Sequence, residues 1–139
     1  MKIKNYQLEP IHKVLSYGMI FTKSRIRNKF IATLMDAIKT REEARLEIIH
    51  GLCKKNKDKS PVIENDNFAF TPENLDKFNK EFQILQNEDN EIEMKGDIIE
   101  IIEASTAVMD DKKGETIIVE EVLEEYAKSR ITKPKNKKD

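Results

Sequence analysis

Apolar residues recur along this chain at helical spacing, interrupted by short polar stretches. Ile11, Val14 and Leu15 mark one buried helical face, which Gly18–Met19 extends. Glu9–Pro10 reads as the start of that helix, because proline is tolerated in a first turn. The helix is expected to fray near Thr22. Ser24 suits the N-cap of a much longer second helix. Ile26, Phe30, Leu34 and Ala37 step along it by three or four residues, and Ala44, Ile48 and Leu52 resume the stripe beyond Arg41. Ile31, Met35, Ile38 and Ile49 widen it. No proline falls between Ser24 and Lys55, so the spacing predicts one unbroken helix of roughly 48 Å at 1.5 Å per residue. Its apolar face is a broad band, which requires more than one neighbour, the first helix among them.

Elsewhere the pattern is shorter in period. Residues 2–7 alternate, as a short strand or extended arm does. "KKNKDKSP" (54–61) is a polar break, and "VIENDNFAF" follows with Asn65–Asp66 between two extended runs, a β-hairpin signature. Thr71 followed by Pro72 predicts an N-cap and N1 pair. Leu75, Phe78, Phe82 and Leu85 continue that third helix to about Asn87. "NEIEMKG" (90–96) reads as a strand ending at Gly96. Asp97 is placed to cap a helix from Ile98 to about Met109, with Ile98, Ile101, Ile102 and Ser105 inward, although "IIEII" also suits a strand. "DDKKG" is a turn, and a last helix over about Thr116–Ser129 buries Val119, Val122, Leu123 and Tyr126. The fold class is α+β, mainly α: a helical hairpin built on the long helix, a small β element and further amphipathic helices. One α-rich domain is expected over residues 1–131, then a basic, flexible tail over 132–139.

Composition narrows the setting. Of 139 residues, 38% are hydrophobic and 37% charged, with no Trp, so a highly charged surface encloses a lean core. Cys53 is the one cysteine; it has no internal disulfide partner and fits a reducing compartment. No apolar run has signal-peptide length or approaches the roughly 20 residues of a membrane span. A soluble, cytoplasmic protein without membrane contact is expected.

The net charge of −1 conceals a division. Residues 1–61 carry 14 Lys+Arg and 6 Asp+Glu, a net of +8. Residues 62–131 carry 7 and 19, a net of −12, and residues 132–139 carry 4 Lys and 1 Asp, a net of +3. Two explanations follow: the halves attract each other, within one molecule or between copies, or the basic half meets an acidic partner.

Chemistry-bearing motifs are sparse. The four glycines (Gly18, Gly51, Gly96, Gly114) form no phosphate-binding cluster. His50 and Cys53 are three apart, but a metal site needs further ligands and His12 is the only other histidine. They read as a helix-end histidine and a small buried thiol. A pairing of His12 with Cys53 as imidazole and thiol has no local support. The acidic doublets Glu42–Glu43, Asp110–Asp111, Glu120–Glu121 and Glu124–Glu125 point apart on a helix and read as solvated faces. "DDKKGE" lacks the alternating oxygen ligands of a calcium loop. No catalytic residue, metal or cofactor is assigned, and an enzyme is not expected.

Lys23, Arg25, Arg27 and Lys29 gather where the long helix begins, and Lys54, Lys55, Lys57 and Lys59 where it ends. Such clusters can contact phosphates, although the second set also suits the helix dipole. In "KTREEARLEIIHGLCKKNKD" (39–58), pairs at helical spacing link Glu42 with Arg45, Glu43 with Glu47 and Arg41 with Arg45. Arg41 falls on the apolar stripe, where a polar residue can set register against an acid from the second half or from another copy. The stretch reads as a wall for packing and assembly.

The order "IKNYQLEPIHKVL", the "KTREEARLEII" helix, "PVIENDNFAF" and "LDKFNKEFQILQNEDNEIEM" resembles a family of small proteins of Gram-positive bacteriophages and prophages, whose shared segment is a domain of unknown function. The resemblance covers roughly residues 2–95 and supplies no functional residues. It implies a phage origin and a non-enzymatic accessory role in the host bacterial cytoplasm or with the virion. The partner is then a phage or host protein, or a second copy in a homo-oligomer. Such contact would serve virion or tail assembly, or inhibition of a host factor such as a defence protein. Partner-binding residues expected on this reading are Arg25, Arg27, Arg41, Arg45, Glu120, Glu121, Glu124 and Glu125. The alternative is a small nucleic-acid-binding regulator that uses the basic N-terminal half.

Overall fold

The computed structural model describes residues 1–17, 24–107 and 114–136. The elements are β1 (Lys2–Lys4), α1 (Asn5–Tyr17), α2 (Ser24–Leu52), β2 (Ile63–Glu64), β3 (Asn67–Phe68), α3 (Pro72–Gln86), β4 (Asp89–Glu91), α4 (Gly96–Ala107) and α5 (Gly114–Asn136). The protein is mainly helical with two small two-stranded sheets, the α+β class that the periodicity predicts. Expectations for Gly18–Met19, Thr22, Lys23 and residues 108–113 lie outside the described residues. The chain forms two compact units, Met1–Ile38 with Asp89–Asp139, and Lys39–Glu88.

In the first unit, β1 pairs antiparallel with β4, placing Lys2 opposite Glu91, Ile3 opposite Asn90 and Lys4 opposite Asp89. Asn90 Nδ2 donates to the Ile3 carbonyl (3.0 Å) and to Asn5 Oδ1 (2.9 Å), so one side chain ties the ladder to the start of α1. The strand expected over 90–96 is shorter and earlier. β1 offers only three residues to pair with, and beyond Ile92 the chain keeps its alternation without a ladder: Ile92 and Met94 are buried, Glu93 and Lys95 exposed.

Helix α1 begins at Asn5, four residues before the expected start. Gln7 is the cause. Its Oε1 accepts the Lys4 N–H at 2.9 Å, satisfying a helix-end donor from the third helical position. Pro10 therefore lies inside the helix and denies a bond to the Tyr6 carbonyl. The helix tolerates that cost because Leu8, Ile11, Val14 and Leu15 are fully buried. It packs chiefly on α5 and α4. The "IIEII" segment is helical, and Ile98, Ile99, Ile101 and Ile102 all enter the core with Val119 and Val122 of α5. Leu123 and Tyr126 pack at its edge. The α5 backbone runs on to Asn136, beyond the expected Ser129.

Helix α2 is unbroken, as predicted, and adds Phe30 and Leu34 to the same core. Its buried stripe starts one turn later than expected: Ile26 is 37% exposed and Met35 48%. The helix ends at Leu52, short of Lys55, because the Lys54 N–H turns to the Ala69 carbonyl (2.8 Å) and the Lys54 carbonyl accepts from Val62 (2.9 Å).

That exchange organises the second unit. Asn65 (φ 50°) and Asp66 (φ 64°) are both left-handed, as a two-residue hairpin turn between β2 and β3 requires. The polar break is an ordered turn in which the Ser60 hydroxyl and N–H donate to Asp58 and hold its carboxyl below the usual range. Thr71 Oγ1 caps α3 by accepting the Asn74 N–H at 3.2 Å, with Pro72 as the first helical residue and Asn87 as the C-cap. Asn74 Nδ2 donates to the Leu52 carbonyl (3.1 Å), joining the start of α3 to the end of α2. The buried apolar residues of this unit are Ile49, Cys53, Ala69 and Leu85, a small core for its length.

Ser105 is fully buried, and its Oγ has no hydrogen-bond partner among the described residues. Removing an unsatisfied buried hydroxyl relieves a desolvation cost of about 1–3 kcal/mol. Ser105→Ala is therefore expected to raise stability by about 1 kcal/mol in urea unfolding, whereas Leu34→Ala at an equally buried site is expected to lose about 2–5 kcal/mol. Thr71→Ala, which removes the α3 cap, is expected to cost about 1 kcal/mol in the same measurement.

Candidate interaction surfaces

The sequence-predicted partner-binding residues fall in three separate places. Arg25 and Arg27 lie in the first turns of α2, with Arg25 exposed and Arg27 half-buried. Lys29 follows one turn after Arg25 and is exposed. Among the described residues none of these three cations has an ion-pair partner, and Arg27 Nε is buried without a hydrogen-bond acceptor. Beside them runs a groove of about 440 Å³, formed by Ile26, Lys29, Phe30 and Thr33 of α2 and by Glu93, Lys95, Asp97 and Ile98. Phe30 and Ile98 are its buried apolar floor.

Arg41 and Arg45 belong to the second unit and are engaged locally. Arg45 Nε and Nη2 donate to Glu42 Oε1 at 3.0 and 2.7 Å, and Arg41 Nη2 lies 3.9 Å from Glu42 Oε2. The Arg41 side chain is 10% exposed. Glu42, on the same helix turn, is the acid paired with Arg45, and it also lies near Arg41. Three-residue spacing brings the two forks together without any tertiary contact. The Arg45 hydrogen bond holds the Glu42 carboxyl below its usual range and raises Arg45 in turn.

Glu120, Glu121, Glu124 and Glu125 are exposed on α5, on the side away from Val119 and Val122, as the solvated-face reading requires. The charge division of the sequence is largely resolved inside the first unit. Residues 1–38 carry seven Lys+Arg and two Asp+Glu, a net of +5; residues 89–139 carry nine and fourteen, a net of −5. Contacts across this pair of segments include Lys4–Asp89 (3.6 Å), Lys13–Glu115 (3.1 Å) and the Met1 ammonium with Glu91 (3.5 Å). The second unit carries nine Lys+Arg and ten Asp+Glu, a net of −1.

One surface was not anticipated. Phe70, Phe78 and Phe82 form a continuous stack, with ring centroids 5.4 and 5.6 Å apart, and each ring is half-buried. Leu75 shares the α3 face of Phe78 and Phe82 and is 44% exposed. The three-four spacing puts Leu75, Phe78 and Phe82 on one helix face, and nothing in the local pattern says how that face is covered. The groove had a legible signal in the absence of any Asp or Glu between Glu9 and Asp36.

The remaining candidates stay apart from any such surface. His12 is half-buried on α1. His50 sits in the last turn of α2, edge-on to Phe68 at 5.8 Å, with its carbonyl accepting from the Lys55 ammonium. Cys53 is buried. Among the described residues no group of three or more His, Cys, Asp or Glu is placed to hold a metal ion, and no helix is long and apolar enough to cross a membrane. Compared with protein-family models, curated proteins and solved structures, the chain has no match.

Because its folded pKa is lowered, Glu42 contributes stability above the ordinary carboxylate range of about 4, lost as pH falls through the folded value. The carboxylate is 41% exposed, so the effect is screened to a few tenths of a kcal/mol. Glu42→Gln is expected to be less stable than the parent by about that amount at neutral pH in urea unfolding. The difference should vanish once the carboxyl is protonated.

Proposed function

We propose that this protein acts through protein–protein contact, as a small non-enzymatic accessory protein of the phage or prophage type that its sequence resembles, working in the host cytoplasm or with the virion. The aromatic stack of the second unit carries this reading. Three ordered phenylalanine rings with an exposed leucine beside them give a contiguous apolar surface of low side-chain entropy. Aromatic residues are enriched at the energetic centres of protein interfaces. The unit that bears them buries few apolar residues of its own, so added coverage would stabilise it. Virion assembly and capture of a host factor both fit this mode of action.

A second reading, nucleic-acid regulation, draws on Arg25, Arg27 and Lys29, which have no acidic partner among the described residues.

Light scattering of the purified protein is expected to show an oligomer, or a pull-down from phage-infected host lysate to recover one stoichiometric protein. Leu75→Asp, at an exposed position, should reduce that association at least about tenfold while leaving circular dichroism unchanged. A monomer that recovers no stoichiometric protein would remove the reading. A salt-sensitive shift of DNA or RNA in its place would favour the second.

A further inference from the structure

The start of α2 breaks two local rules at once. Cations in the first turns of a helix oppose its dipole, and like charges four apart, as Arg25 and Lys29 are, repel. Several other cations of the first unit are met by an acid, as at Lys4, Lys13 and the Met1 ammonium. Arg25, Arg27 and Lys29 have no such partner among the described residues, and the sequence supplies no acid from Pro10 to Met35.

Lys29 lines the groove, and Arg25 and Arg27 lie on the same turns of α2, outside its lining. Ile26, Lys29, Phe30 and Thr33 form its α2 wall. At about 100° per residue, Arg25 and Arg27 lie roughly a quarter turn to either side of that stripe. The floor is Phe30 and Ile98, and Ile26 stands partly bare at the rim. On the opposite wall Lys95 lies 3.9 Å from Glu93, and Asp97 sits in the first turn of α4, where the helix dipole offsets its charge. The charged side chains that line the groove, Lys29, Lys95, Glu93 and Asp97, cancel formally, and the cations without an ion-pair partner among the described residues stand on the α2 side.

We propose that this groove binds an amphipathic segment of a partner protein, with apolar anchors seated on Phe30, Ile98 and Ile26 and with carboxylates facing Arg25, Arg27 and Lys29. The groove volume lies within the roughly 300–1,000 Å³ that accepts a small ligand, which suits a few anchoring side chains of a helix laid across it. A nucleic acid is the poorer occupant, because it has no apolar side chains for the floor of Phe30 and Ile98. The inference goes beyond the aromatic surface of the second unit and does not depend on it.

The test uses the full-length chain and a fluorescein-labelled amphipathic helix of about 15 residues, with leucines on one face and glutamates on the other. Two controls are the same helix with lysine for glutamate and a DNA duplex of similar charge. Anisotropy is expected to show the acidic peptide binding at least about tenfold more tightly than the lysine peptide, weakening with salt. The exposed double variant Arg25→Glu/Lys29→Glu should lose at least about tenfold in affinity, with its circular dichroism unchanged. Leu75→Asp should leave this binding unaltered, which separates failure here from failure of the aromatic surface. Equal binding of the two peptides, an unaffected double variant, or preference for the duplex would each overturn the proposal.

Discussion

The first unit exists because its opening residues are held against a segment almost ninety positions later. Pairing Lys2–Lys4 with Asp89–Glu91 closes a long loop, at roughly 4 kcal/mol of chain entropy beyond a constant. Two hydrogen-bonded strands of three residues cannot offset that alone. Burial does: Ile3, Leu8, Ile11, Val14 and Leu15 meet Ile92, Met94 and the α4 isoleucines in one core. Each such side chain is worth about 1.5–3 kcal/mol when fully buried, so two or three already match the closure cost. The backbone ladder then sets the register, and Asn90 locks it to α1 through two hydrogen bonds. α1, α4 and α5 take their places from this closure.

The same closure decides what the charges do. The basic opening segment and the acidic final segment are brought into one unit with no net charge, and several of their cations and anions meet directly. Exposed pairs of this kind add little stability. Their larger effect is to cancel a field that would otherwise steer any ion toward the chain. The start of α2 escapes this pairing: Arg25, Arg27 and Lys29 have no ion-pair partner among the described residues.

The second unit is held differently. Its order comes from local devices: the left-handed Asn65–Asp66 turn, the Thr71 cap, and the bond from Asn74 to the last carbonyl of α2. Hydrophobic burial is slight, and the rings of Phe70, Phe78 and Phe82 stack on one another instead of disappearing under a further layer. A unit of this kind keeps its shape while presenting apolar area, which is what recognition by a protein needs.

Much of this was legible in the residues. Helical periodicity located α2, α3, α4 and α5, the Asn65–Asp66 and Thr71–Pro72 pairs placed the hairpin and the α3 cap, and the spacing of Glu42 and Arg45 marked a pair. These are short-range effects, decided within a few residues. The errors arose where distant contacts decided the outcome. β4 stops where β1 runs out, and Ile26 turns from core residue to groove rim; the early start of α1 is instead a local matter, set by Gln7 on the Lys4 N–H, which apolar spacing does not register. Spacing states which side chains share a face. Which faces are covered, and which cations find an acid, depends on segments far along the chain, and only tertiary packing brings those together.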